Sequence, residues 1–390
     1  MAQSDEAQVV IVGAGIAGLT AAIALDRAGL EVLVVERATA LTQAGTALSL
    51  WPNALAALEE IGLRQAVTGI GIPEPTGVIR DSSGRMLITV NQNLLSQDTR
   101  AQTLIVRRSD LQHLLLDDAS HLPIRLNTPA ERIALQRDSA TVTLAGGGSL
   151  RASVALACDG IQSISRTLVD NPPLTYRGRT SWRALLDGRS ALAPTATLTV
   201  GGGNQFIAGP LRDGAVYWAA DVSLPEGANN AMEDRKGFLK QVFRTWHDPI
   251  PELIELTNND QLVIADFYDS IPRRLTAGRV ALLGDAAHPM TPDLGQGACQ
   301  GIEDAVVLAA CMSNVNDPLS ALAKYESLRL QRVRHVVRSS RRLGQLATST
   351  STVVVGVRNI ASRHMPQRIN ASIAARFASE DAFRRTLHRL

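Results

Sequence analysis

The chain of 390 residues carries 39 Lys+Arg against 37 Asp+Glu, with a hydrophobic fraction of 45%. That apolar content excludes a disordered chain, and a net charge of +2 argues against a dedicated nucleic-acid binder, which carries a basic excess. Single cores stop growing near about 250–300 residues, so two domains are expected. The balance hides an asymmetry: residues 320–390 hold 14 Lys+Arg against three Asp+Glu, a local +11, which leaves −9 on the rest. Only Lys236, Lys240 and Lys324 are lysines. Cys158, Cys299 and Cys311 are widely spaced and form no Cys-x-x-Cys pair, which argues against a disulfide framework, a dithiol centre or a cysteine-based metal site. Asp5 and Glu6 precede the first apolar stretch, and no apolar run approaches the ~20 residues that span a bilayer. A cytoplasmic protein with no signal peptide and no membrane span is expected.

In chain order, residues 8–37 read as a strand–helix–strand unit. Val9–Val12 suits a buried parallel strand, Ile16–Ala28 is helix-forming, Gly29 sits at a helix C-cap, and Val32–Val35 is a second buried strand. From about 76 to 99, alternating and turn-rich text predicts a hairpin. Residues 109–119 read as a helix, with Ser109 as N-cap and Gln112 completing a capping box. Two β-like runs flank Gly146-Gly147-Gly148 within 141–157. Between about 171 and 268 short strands are bounded by Gly201-Gly202-Gly203, Gly209-Pro210 and Asp213-Gly214, with one helical stretch at about 231–247. Residues 278–312 return to strand, loop and helix, and from 318 the pattern is helical, broken by Pro366. The expected class is α/β. A doubly wound domain (1–75, 100–170 and 265–330) is interleaved with a β-sheet domain (76–99 and 171–264), and C-terminal helices follow in 331–390.

Gly13-Ala14-Gly15-Ile16-Ala17-Gly18 joins a predicted strand to a predicted helix. Its glycines allow a tight turn and close approach to a pyrophosphate, and the helix N-terminus supplies free N–H groups. Glu36, at the end of the second strand, falls where a carboxylate binds adenosine ribose hydroxyls. Arg37 either stacks on adenine or is a solvated arginine. Two further strands end in acidic turns. Ala155-Leu-Ala-Cys-Asp159-Gly160 is followed by Arg166, and Val280-Ala-Leu-Leu-Gly284-Asp285 leads to His288. Pro292-Asp-Leu-Gly295-Gln296-Gly297-Ala298 then opens an apolar helix that contains Glu303 and Asp304.

With these three motifs in order, the chain resembles the class A flavoprotein monooxygenases, the group of p-hydroxybenzoate, salicylate and 3-hydroxybenzoate hydroxylases. It is most similar to the single-component FAD-dependent urate hydroxylase and zeaxanthin epoxidase branches, and Leu50-Trp51-Pro52-Asn53-Ala54 also looks like that branch. The resemblance covers nearly the whole chain. It implies a glutathione-reductase-like FAD domain, non-covalent FAD, and NADH or NADPH as a transient donor, since no second glycine fingerprint is visible. It also implies molecular oxygen as co-substrate, activated as a flavin hydroperoxide that hydroxylates or epoxidises a small aromatic or conjugated substrate. Asp285 would accept from ribityl hydroxyls, and Gly295, Gln296, Gly297 and Ala298 would place backbone N–H groups and a helix dipole at the flavin's pyrimidine edge. Arg108 resembles the family arginine that reaches the flavin, with Arg107 as its neighbour, and Asp159-Gly160 the turn that serves FAD and the nicotinamide cofactor.

No catalytic base is identified. The pocket candidates are Trp182, Phe206, Tyr217, Trp218, His288 and Pro292, with Phe267 and Tyr268 beside them; His288 reads either as structural or as a proton carrier. The urate branch expects an arginine before the Gly-Pro turn, whereas Asn204-Gln205-Phe206 stands here, which points to a less anionic or more apolar substrate. A flavin-dependent halogenase needs a poised lysine and a Trp-x-Trp-x-Ile-Pro segment, and neither is present. The rival readings are an FAD-dependent reductase or desaturase that uses no oxygen, and a flavin-binding protein without turnover. A monomer or homodimer is expected. The basic tail, with Arg332, Val333, His335, Val336 and Arg338 on helical text, is expected to pack its arginines on the acidic remainder. The protein should therefore stay in the supernatant when spun with anionic vesicles at physiological salt, and robust co-sedimentation would contradict that packing.

Overall fold

The computed structural model describes residues 6–41, 46–74, 76–91, 103–364 and 377–390. Pro366 and most of the apolar run 372–377 lie outside them. Two large sheets organise the described residues. The first has the order Thr276–Ala277, Val280–Leu282, Ser149–Ala157, Glu6–Val12, Val32–Val35, Ile124–Arg125, and its inner strands are parallel. Val9, Val10 and Ile11 have no exposed surface, as expected of a strand covered on both faces. The helix Ile16–Arg27 buries Leu19, Ala21, Ala22, Ile23 and Leu25 because it packs against the helix Gly297–Asn314 as well as the sheet. Gly29, at φ +81°, turns the chain out of that helix.

The second sheet has seven strands in the order Val263–Asp269, Thr175–Leu186, Val216–Ser223, Asn204–Pro210, Thr197–Gly201, Thr76–Asp81, Met86–Asn91. The hairpin predicted from residue 76 forms its outer pair, and residues 92–99 lie outside the described residues. One face is covered by the helices Arg235–Phe243 and Ile250–Leu256. The helical text at 231–247 is thus two shorter helices reaching to 256, the second entered through Pro249 and Pro251, which suit a first turn. A three-stranded sheet, Ala47–Leu50, Leu104–Arg107 and Ile72–Pro73, lies between.

Two expectations are corrected here. Trp182 and Trp218 do not face an open pocket, and Phe206 only edges a cavity shared with His247 and Pro249 on the helix side. All three are essentially inaccessible in the core under the two helices, where Phe206 stacks on Trp218 at 5.3 Å and meets Phe243 edge-on. Their strands alternate, and the aromatic positions are those that face the helices. The capping box at Ser109 does not form either. The helix starts at Arg108, and Gln112 reaches instead to the carbonyl of Ala14 in the glycine turn, at 3.2 Å.

The long helix Pro318–Ala347 straps both sheets together. Arg341 grips Asp269 of the second sheet, while Arg334 donates to the carbonyls of Pro272 and Arg273. Beside it, Arg179 of the second sheet forms a two-pronged, nearly inaccessible ion pair with Asp293 at 2.9 and 2.6 Å. Gly344 of the long helix makes room for that pair, since a Cβ there would overlap Asp293 Oδ2 and Arg179 Nη2. Among the described residues no helix is long and apolar enough to cross a membrane.

Alanine in place of a helical glycine contributes roughly 1 kcal/mol of helix propensity. Gly356, where an added methyl group would meet nothing within 4 Å, should show that gain, whereas Gly344→Ala should lose about 1–3 kcal/mol by overpacking the ion pair. Urea midpoints of the two variants, shifting in opposite directions, check this.

Candidate active site

The first strand, Glu6–Val12, runs into Gly13 at φ +106°, and the helix begins at Ile16 with Gly15 as an uncapped N-terminus. A Cβ on Gly18 would overlap the Gly13 carbonyl oxygen, so the third glycine lets the helix sit on its own turn. Glu36 braces this turn: its carboxylate accepts from Ala14 N–H at 2.7 Å and from Ala38 N–H at 2.9 Å. Gly13, Gly15, Glu36, Arg37, Arg108 and Asp159, with Gly160, line one cleft of about 340 Å³. Ile16 and Gly18 are buried within the helix, and Ala17 packs against Gly284 and Gly301.

The other two acidic turns are joined by Arg166, which donates to the carbonyls of Ile161 and Asp285 at 3.0 and 2.8 Å. Asp159 accepts from Ile164 N–H at 2.9 Å, and burial raises its carboxyl above the usual range. Asp285 itself is exposed at the strand end. Burial lowers the Arg108 guanidinium from its ordinary value, Asp285 draws it back, and Arg183 pushes it further down. Gly295 turns at φ +61°, and Gly297 opens the 18-residue helix Gly297–Asn314. The side chain of Gln296 leaves this loop. It is buried, and its Oε1 accepts from Asn53 and Gln300, both at 3.0 Å.

Under the loop lies a buried ion cluster that the motifs of the sequence do not assign. Arg329 donates to Glu303, to Asp304 at 2.7 Å, and to the side-chain and backbone oxygens of Gln300. Arg332 adds two bonds to Glu303 at 2.7 and 2.6 Å, and Asn53 adds another. Asp304 accepts from Gly284 N–H at 3.0 Å and pairs with His288 Nε2 at 2.5 Å. His288 is wholly buried, so it holds the Gly284–Asp285 turn and does not line an open pocket; Pro292 is exposed on the loop. A signal was present in the sequence: adjacent carboxylates inside an apolar helix require buried cations.

The FAD binding domain family model matches residues 6–340. The chain belongs to this family. It is 35% identical over 360 residues to the aurachin C monooxygenase/isomerase of Stigmatella aurantiaca, covering 92% of this chain and 94% of that one. It is 33% identical to an FAD-dependent urate hydroxylase of Klebsiella pneumoniae over 86% and 89%. Among solved structures, Klebsiella pneumoniae HpxO complexed with FAD and uric acid superposes with a TM-score of 0.88 at 29% identity, over 95% of this chain and 96% of that one. The protein is an FAD-dependent monooxygenase of the class A aromatic flavin group.

The residues present fit FAD. Arg108 Nε, Gln112 Oε1, Asp159 Oδ1, Arg166 Nη1 and Trp51 Nε1 are all buried without a partner among the described residues, and all belong to the cleft or the turns beside it. Such a concentration of unmet donors and acceptors marks a polar ligand's place. Burial raises the thiols of Cys158 and Cys299, the latter to about 12, so neither is a reactive thiolate.

Burial alone would raise the Glu303 carboxyl, but Arg332 and Arg329 outweigh it and hold it at about 2. A carboxyl depressed in the folded state contributes stability above its unfolded value, ~4.3, and that contribution is lost as pH falls through the folded value. Urea midpoints should therefore fall between about pH 4.5 and about pH 2, and Glu303→Gln, weaker at neutral pH, should show a shallower acid slope.

Proposed function

We propose that this protein hydroxylates or epoxidises a small aromatic or conjugated molecule, using NADH or NADPH and one oxygen atom of molecular oxygen. The observation that carries the reading is that the turns 13–18 and 159–160 line one cleft with Glu36 and Arg108, while Arg166 ties the 284–285 turn to Ile161 beside that cleft. FAD, when bound, supplies the electron transfer and the oxygen activation, and the chain supplies position, charge and dryness.

In this reading the uncapped helix N-terminus at Gly15 and the dipole of the helix Ile16–Arg27 neutralise the pyrophosphate, and Glu36, which also holds the Ala14 N–H, accepts from the adenosine ribose. Asp285 accepts from the ribityl chain, held in place by Arg166 on its carbonyl and by Asp304 through Gly284. The backbone of Gly295–Ala298 stabilises negative charge at the flavin's pyrimidine edge. Residues 1–75, 100–170 and 265–330 make up the FAD-binding part, 76–99 and 171–264 the substrate part, and 331–390 the C-terminal helical segment. We place the protein in the cytoplasm, with three free cysteines supporting a reducing compartment.

The urate-hydroxylase likeness makes urate one compound to test. Gln205 standing where that branch expects an arginine supports a less anionic ligand. The purified protein should be yellow, and an aromatic ligand of the right class should raise both NAD(P)H oxidation and oxygen uptake in a 1:1 ratio. Ligand turnover without oxygen uptake would favour the reductase or desaturase reading, and a ligand screen with no effect on NAD(P)H oxidation would overturn catalysis of either kind.

A further inference from the structure

The seven-stranded sheet turns two unlike faces outward. Ser181, Asp221 and Gln205 stand side by side on three adjacent strands, and one rung on are Arg183, Ala219 and Ile207. By alternation they occupy the face opposite the aromatic core of Trp182 and Phe206. This face meets the FAD-binding half at two places. At one end Arg179 clasps Asp293 of the 292–297 loop, and at the other Tyr217 and Leu185 pack with Ile105, three residues before Arg108. The row of Ser181, Asp221 and Gln205 lies between.

Gln205 is 3% exposed and its Nε2 has no hydrogen-bond partner among the described residues. A buried amide donor of this kind is unfavourable until something accepts from it. Asp221, 2% exposed, accepts from Ser181. Arg183 donates through Nε to Ser181 Oγ at 3.1 Å and lies 5.9 Å from the Phe267 ring, and it makes no ion pair among the described residues. The charges on this face cancel: Arg183 stands against Asp221, and Arg179 is spent on Asp293.

We propose that Gln205, Arg183 and Asp221 determine substrate specificity, Gln205 and Arg183 donating to a ring oxygen and Asp221 accepting from an adjacent ring N–H or O–H. The substrate class is then an uncharged hydroxy-heteroarene or its lactam form. This rests on the monooxygenase reading above. A carboxylate ligand would add a second negative charge beside Asp221, on a face whose cations Arg183 and Arg179 already stand against Asp221 and Asp293, and a hydrocarbon would leave the Gln205 amide unmet. Burial holds the Asp221 carboxyl above its usual range although Ser181, Arg183 and Arg179 pull it down, which adds to the cost of an anionic neighbour.

The test is equilibrium binding to the FAD-loaded enzyme, read from the flavin absorption spectrum, with three bicyclic probes of matched size: 2-quinolinone, naphthalene and 2-naphthoate. The lactam should bind at least about tenfold more tightly than the other two. Gln205→Leu should abolish that preference by weakening 2-quinolinone alone, and Gln205→Arg should turn it toward 2-naphthoate. Equal binding of all three probes to the unaltered enzyme, or an undiminished lactam preference in Gln205→Leu, would overturn the assignment. Should Gln205→Leu lose its flavin, Gln205→Glu keeps the shape and places an acceptor beside Asp221. It must then lose the lactam preference, and retaining it would overturn the proposal. Because binding needs no turnover, a failure here is separable from a failure of oxygen-linked NAD(P)H oxidation, which alone bears on the monooxygenase reading.

Discussion

Everything on the cofactor side of this molecule hangs on one arginine placed between two adjacent carboxylates. Arg329 has no exposed surface, and neither do Glu303 and Asp304. Removing such groups from water costs several kcal/mol per ion, and the cost is met only if every lone pair and proton finds a partner. Here the partners are nearly complete. Arg332 and Asn53 complete Glu303, while Gly284 and His288 complete Asp304. The cluster is therefore an unpromising source of net stability and a strong source of geometry. It ties the helix behind the 292–297 loop, the strap helix and the Gly284–Asp285 turn into one arrangement, because any other leaves a charge buried and unpaired. It also disposes of part of the basic tail. Arg329 and Arg332 are consumed here, Arg341 on Asp269, and Arg384 on Glu59 and Glu60, so these four arginines are an internal counterweight to the acidic remainder.

The cofactor half was legible because its chemistry is local. A tight glycine turn, a carboxylate at the next strand end and an acidic dipeptide after an apolar run are each readable within a few residues, and parallel pairing brings the strand ends to one edge. The errors came where a local pattern had a competing distant partner. Ser109 and Gln112 have capping-box spacing, but Gln112 finds the Ala14 carbonyl across 98 residues and leaves the cap empty. His288, read either as structural or as a proton carrier, is held in the interior by Asp304 of the helix Gly297–Asn314, in keeping with the structural reading.

The seven-stranded sheet was harder to read, and the reason is parity. A strand with one face under helices and the other toward the first sheet is apolar on both in places, so aromatic content marks the better-packed face. Trp182, Phe206 and Trp218 are large, and large flat side chains fill the space between sheet and helices. The informative residues were the polar ones. Asp221 in Val216–Ser223, Arg183 in Thr175–Leu186 and Gln205 in Asn204–Pro210 each stand at the parity opposite the core-facing residues of their strand. Their alignment depends on register between three strands, which no single strand carries.

The same parity accounts for how one sheet serves two masters. Its helix-covered face needs no polar group, so it can be packed tightly. The other face can then keep its polar groups partly unmatched, because the packed side holds the strands in register regardless. Gln205 is the clearest case. Its backbone is fixed between two strands and its neighbour Phe206 is locked in the core, yet its own amide has no partner among the described residues. A group held that rigidly and left unmet does not relax to satisfy itself, which is the physical condition for recognising a ligand and not merely accommodating one. The Arg179–Asp293 pair completes the arrangement, since it fixes the distance between this face and the 292–297 loop.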